Sequence, residues 1–244
     1  MTGVDTHMTL FEHLAELRRR LFISVIAVTL GAIVVFFLFD PLLSFLSGPY
    51  EEVTRTAAEP NGRDLIATGV TEAFTVRLQV AGYGGLILAA PVVFFELWRF
   101  ITPALHKKEK RYAVPFVVAT AVLFALGCVV AWFTVVPALD FLLNAGGASI
   151  EPLITARSYI SLITLMALAF GLAFEFPVVL VFLLIARIVH TRQLRKARRY
   201  VIVGIFVFAA VITPSQDPYS LFLMALPMYL FYEAAILIGR ILKR

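Results

Sequence analysis

Residues 160–186 read ISLITLMALAFGLAFEFPVVLVFLLIA, and Glu175 is the one ionisable side chain among them. As a helix this run extends roughly 40 Å, more than the ~30 Å hydrocarbon core of a bilayer. Lipid offers no hydrogen bonds to backbone groups, so such a run crosses as a helix with its peptide bonds paired internally. Pro177 follows Glu175 by two residues and removes a donor from that ladder, which predicts a kink or break. A charged group at mid-bilayer depth costs about 2.5–3.5 kcal/mol and therefore faces a protein interior or a wet cavity. Glu175 thus reads as part of a polar site inside a membrane protein.

The rest of the chain has the same character. Of its 244 residues, 61% are hydrophobic and 15% charged, and its mean hydropathy is +0.91. This excludes an ordinary soluble domain. The alternating ten-residue segments of a membrane β-barrel are absent. The expected fold is all-α and polytopic in a single membrane domain. Six spans are drawn near residues 21–39, 74–97, 113–136, 160–186, 200–213 and 219–238. The fifth is short, and the turn Thr213-Pro214-Ser215-Gln216-Asp217-Pro218 after it predicts a helical hairpin with the sixth. Pro91, Pro177 and Pro227 interrupt spans two, four and six, and kinked or curved helices are expected there.

Lysine and arginine concentrate before span one (Arg18, Arg19, Arg20), between spans two and three, between four and five, and after six. The opposite connections are mostly acidic. By the positive-inside bias, both termini are expected in the cytoplasm and 40–71 forms an external cap loop. The first span is longer than a signal-peptide core, has no Ala-x-Ala exit, and is read as retained.

Several chemistries are not expected. Cys128 is the single cysteine, and His7, His13, His106 and His190 are scattered, so no metal set emerges. No glycine-rich phosphate loop is present. No nucleophile–base pair is visible, so no enzyme, cofactor or catalytic residue is expected. The net charge of +5 is explained by topology rather than by nucleic acid.

Two cytoplasmic stretches carry the remaining signal. In Thr9-Leu10-Phe11-Glu12-His13-Leu14-Ala15-Glu16-Leu17-Arg18-Arg19-Arg20-Leu21, Thr9 and Glu12 form a capping box, and leucines at helical spacing make one apolar stripe. Residues 1–20 are therefore expected to contain a helix lying along the membrane surface. Glu16 has two readings: a surface pair with Arg20 four residues on, or a ligand for an external cation. In Trp98-Arg99-Phe100-Ile101-Thr102-Pro103-Ala104-Leu105-His106-Lys107-Lys108-Glu109-Lys110-Arg111, Glu109 is the lone acid between two lysines. Carboxylates at Glu16 and Glu109 would suit a ligand with two guanidinium groups, each held by a charge-assisted fork.

These motifs resemble those of the TatC family, the receptor subunit of the twin-arginine protein translocase. The resemblance rests on His13-Leu14-x-Glu16-Leu17-Arg18-x-Arg20, Trp98-x-Phe100-Ile101-x-Pro103-Ala104-Leu105 running to Glu109-Lys110-Arg111, Phe170-Gly171-x-x-Phe174-Glu175-x-Pro177, Thr213-Pro214 with Asp217, and Ala225-Leu226-Pro227. It implies a glove-like bundle that binds the twin-arginine signal of folded export substrates at the cytoplasmic membrane. Glu16 and Glu109 would then contact the signal's arginines, on a surface formed with Phe100, Pro103, Leu14 and Arg18. Pro49 would stabilise the external cap, and Glu175 would meet partners and the signal's apolar segment. TatA- and TatB-type single-span subunits, self-association and the proton-motive force are implied likewise. Two departures stand out: the turn at 213–218 is one residue longer than the family's common pattern, and Val70 replaces a frequent proline. The rival reading is a proton-coupled secondary transporter of a small solute, with Glu175 as relay. A single midplane acid and few polar residues along the spans weigh against it.

Overall fold

The computed structural model describes residues 10–55, 65–101, 113–145 and 154–241. Among the described residues the chain forms eight helices: α1 (Leu10–Phe37), α2 (Phe39–Thr54), α3 (Glu72–Ile101), α4 (Ala113–Ala145), α5 (Ala156–Ala173), α6 (Phe176–Ile185), α7 (Thr191–Ile212) and α8 (Pro218–Ile241). Five stretches among them are long and apolar enough to cross a membrane: Phe11–Phe37, Glu72–Ile101, Val114–Ala145, Ala156–Ile185 and Pro218–Ile241. The protein is thus a helical, multi-pass membrane protein. Its large exposed apolar side chains, such as Leu30, Leu88, Val122 and Leu226, have lipid as their solvent. The expected fifth span is the second half of α7. It is apolar only from Tyr200 to Ile212, about 20 Å of helix, because the first half carries arginines and a lysine.

The amino-terminal segment differs from expectation. Residues 10–20 run straight into the first span as one 28-residue helix, not as a separate surface helix. No proline or glycine occurs from Leu10 to Leu30, so intrahelical bonding continues. Thr9, the expected cap, lies outside the described residues. At Leu38 the chain turns a one-residue corner (φ −93°, ψ 17°) into α2. The expected cap loop is therefore helical in its first half. Phe39, Leu42, Leu43 and Leu46 form a stripe at helical spacing that packs on the core, and the helix continues through Gly48 and Pro49.

Pro49 is buried within α2. Nearby, the Tyr159 hydroxyl donates to the Leu46 carbonyl at 2.5 Å. Phe45 stacks on Trp132 of α4 with centroids 4.1 Å apart. Arg77 of α3 closes the corner: its Nε and Nη2 donate to the Phe36 carbonyl at 3.4 and 3.2 Å, and its guanidinium lies over the Phe36 and Phe39 rings. That group meets the negative end of the α1 dipole.

Glu72 ties two helix starts together. Its Oε2 accepts from the Thr68 amide (2.6 Å), the Thr68 hydroxyl (2.9 Å) and the Gly69 amide (3.3 Å). Its Oε1 accepts from the Arg157 amide at 3.2 Å, so the amino ends of α3 and α5 share one carboxylate. The core lies between α2, α3, α4, α5 and α8, around Val80, Val135, Tyr159, Met166, Phe170 and Met224.

Of these three prolines, Pro177 coincides with a break between helices. The helix stops after Ala173 and restarts at Phe176, with Glu175 at the junction. Pro91 and Pro227 sit inside continuous helices, their neighbours holding the chain helical. The hairpin between α7 and α8 forms as expected. Gln216 takes a left-handed conformation (φ 49°), and Asp217 Oδ1 accepts from the Ser220 amide at 2.8 Å to start α8.

Candidate functional site

The most extensive helix–helix interface joins α1 and α3. Its spacing is set by glycine: a Cβ at Gly85 would stand 2.4 Å from the Ala32 amide nitrogen, and one at Gly31 would stand 2.7 Å from the Gly85 carbonyl oxygen. Backbones this close fix an antiparallel register. Gly31 faces Gly85, and fifteen residues earlier Glu16 comes level with the end of α3. His13, Glu16 and Arg20 lie on one face of α1, and Glu96 and Phe100 on one face of α3.

The register brings these side chains into contact. Arg20 Nη2 donates to Glu16 Oε1 and Arg20 Nη1 to Glu96 Oε2, both at 2.9 Å. The side chains of Arg20, Glu16 and Glu96 are 13%, 18% and 7% exposed. His13 stacks on Phe100 with ring centroids 4.5 Å apart. On the opposite face of α3 Trp98 is buried, stacks on Phe116 and meets Phe182 edge-on, and its indole N–H donates to the Thr120 hydroxyl at 3.2 Å. The site is a largely buried pair of carboxylates bridged by a single guanidinium, rimmed by an imidazole–phenyl stack.

Both readings of Glu16 bear on this arrangement. The pair with Arg20 is present, and it extends to a second acid. Glu96 is the residue that sequence reasoning missed. It was legible as an acid in the apolar stretch Phe94-Phe95-Glu96-Leu97-Trp98, where an ionised group demands a partner. Leu14 is 59% exposed, and Arg18 is also exposed on α1. Pro103 and Glu109 lie outside the described residues. Pro49 is remote from this site, in α2.

Glu175 occupies a second place. It is half-buried at the α5–α6 junction, and its Oε1 is closed off without a hydrogen-bond partner among the described residues. The Thr120 hydroxyl, which accepts from Trp98, also faces the Glu175 carboxyl. One buried hydroxyl therefore stands between the Trp98 indole and the intramembrane acid.

Comparison with known proteins agrees with this architecture. The family model described as Sec-independent protein translocase protein (TatC) matches residues 12–227. The chain is 40% identical to the TatC protein of Frankia casuarinae, over 98% of this chain and 67% of that protein. It is 38% identical to that of Carboxydothermus hydrogenoformans, over 98% and 96%, and 35% identical to that of Escherichia coli, over 98% and 90%. A crystal structure of the twin arginine translocase receptor TatC superposes with a TM-score of 0.77 at 36% identity, covering 96% of this chain and all of that one. Fold and sequence agree: this chain belongs to the TatC family of Sec-independent protein translocase components.

Proposed function

We propose that this chain is the receptor subunit of a twin-arginine translocation system in the cytoplasmic membrane, with both termini in the cytoplasm. The observation that carries the reading is the pair of part-buried carboxylates, Glu16 and Glu96, sharing one guanidinium where α1 starts and α3 ends. Arg99 in the last turn of α3 and the arginines that open α7 lie at that same end of the bundle, the side that positive-inside bias assigns to the cytoplasm. A site one positive charge short of neutrality favours a cationic ligand. A planar guanidinium matches a carboxylate with two parallel hydrogen bonds where an ammonium gives a point contact. Glu109 is the second anchor for the signal's paired arginines, and Phe100, Pro103, Leu14 and Arg18 form the surface around them.

Glu175, deep in the bundle, serves a later stage, contacting the signal's apolar segment or a single-span partner of the TatA or TatB type. Export of folded substrates then draws on the proton-motive force through that assembly, which includes self-association of this chain.

Binding of a fluorescent twin-arginine signal peptide to the purified full-length protein tests the reading. Glu16→Gln and Glu109→Gln are each expected to weaken binding about tenfold or more, the loss of one charge-assisted hydrogen bond of about 1.5–3 kcal/mol. A twin-lysine peptide is expected to bind at least as poorly. Equal affinity for both peptides, unchanged by both substitutions, overturns the assignment.

A further inference from the structure

We propose that Arg20 is a resident guanidinium that cargo displaces from Glu16, and that Glu96 is the reserve seat that receives it. The inference rests on the receptor reading above and adds two residues to it.

The geometry is that of two half-made pairs. An arginine facing one carboxylate forms two parallel hydrogen bonds. Arg20 instead gives one terminal nitrogen to Glu16 Oε1 and the other to Glu96 Oε2. Glu16 Oε2 and Arg20 Nε are closed off from solvent and make no hydrogen bond among the described residues. Two carboxylates against one guanidinium leave a formal charge of −1 in a pocket where all three side chains are under one-fifth exposed. An unpaired charge and an unsatisfied acceptor in such a place are costly.

An arriving arginine removes both defects. Arg20 pivots onto Glu96 alone and offers it two nitrogens. The cargo guanidinium takes Glu16 with two more. Two hydrogen bonds become four, the formal charge goes from −1 to zero, and in the bound state each carboxylate has its own guanidinium. Lysine cannot complete the exchange, since an ammonium does not make the planar fork. Because Glu16 and Arg20 share α1 while Glu96 belongs to α3, the pivot also strengthens the α1–α3 contact when cargo is bound. A purely structural triad would need none of this asymmetry and would respond in the opposite sense to loss of Arg20.

Affinity of the full-length protein for a twin-arginine signal peptide, measured on Glu96→Gln, Arg20→Gln and the double variant, separates the two. With Glu96→Gln, Arg20 has nowhere to go and Glu16 stays occupied, so affinity falls about tenfold. Removing Arg20 as well frees Glu16, and the double variant is expected to return to within about threefold of the parent. Arg20→Gln alone is expected to bind at least threefold tighter. A double variant no better than Glu96→Gln, or weaker binding by Arg20→Gln, overturns the exchange. Should Glu96→Gln fail to fold, Arg20→Gln decides by the sign of its effect. Failure of the receptor reading looks different: the parent protein then shows no dependence on Glu16 and no preference for arginine over lysine.

Discussion

Replacing Gly85 by alanine tests the α1–α3 register directly, and Gly82 of the same helix supplies the control. A Cβ at Gly85 would lie 2.4 Å from the Ala32 nitrogen, 2.6 Å from its Cα and 2.8 Å from its Cβ. Ordinary contact between such atoms is about 3.5–4.0 Å, so the helices must part by about 1 Å. At Gly82 nothing stands within 4 Å of an added Cβ. Both substitutions gain the same helix preference of alanine over glycine, about 0.8–1.0 kcal/mol. Only Gly85→Ala meets the overpacking cost of about 1–3 kcal/mol. The difference between the two variants therefore isolates the steric cost, a melting difference of several degrees for a chain of this size. A 1 Å separation would also stretch the 2.9 Å Arg20–Glu96 contact beyond hydrogen-bonding range. Thermal unfolding followed by tryptophan fluorescence, together with signal-peptide affinity, reads both effects. If Gly85→Ala melts with Gly82→Ala and binds peptide as well as it does, the close crossing does not set the site's geometry.

Two further outcomes are expected. Glu72→Ala removes the shared acceptor for the Thr68, Gly69 and Arg157 amides, so limited proteolysis should cut near residues 65–71 sooner, with the melting temperature lowered; an unchanged cleavage pattern would count against the shared cap. Glu175→Ala should leave signal-peptide affinity within about twofold, a change of about 0.4 kcal/mol, while reducing crosslinking to single-span partners. Loss of proton-coupled solute uptake into vesicles on that substitution would instead favour the transporter reading.

Much of this architecture was legible from residue order because lipid imposes it. Long apolar runs had to become helices, the turn at 213–218 had to fold back, and an acid beside Pro177 had to sit at an interruption. The i,i+4 pair of Glu16 and Arg20 was equally local. Glu96 was not, since its partner lies 76 positions away and only the glycine-set register of α1 on α3 joins them. The helix α2 was obscured for a different reason. Gly48-Pro49 reads as a turn in isolation, yet packing of Phe45 on Trp132 and the hydroxyl of Tyr159 hold the chain helical past it.

The unbroken length of α1 has a mechanical consequence. It is one rod of about 42 Å, gripped tightly at Gly31 and anchored at its far end by Arg77 on the Phe36 carbonyl. From that grip the rod extends about 27 Å to His13 and only about 9 Å to Phe37. Pivoting there multiplies displacement threefold, so a 1 Å nudge at the corner with α2 swings the His13 end by about 3 Å. A displacement that loosens Arg77 on the Phe36 carbonyl would thus be felt, enlarged, at the carboxylates at the other end of the rod.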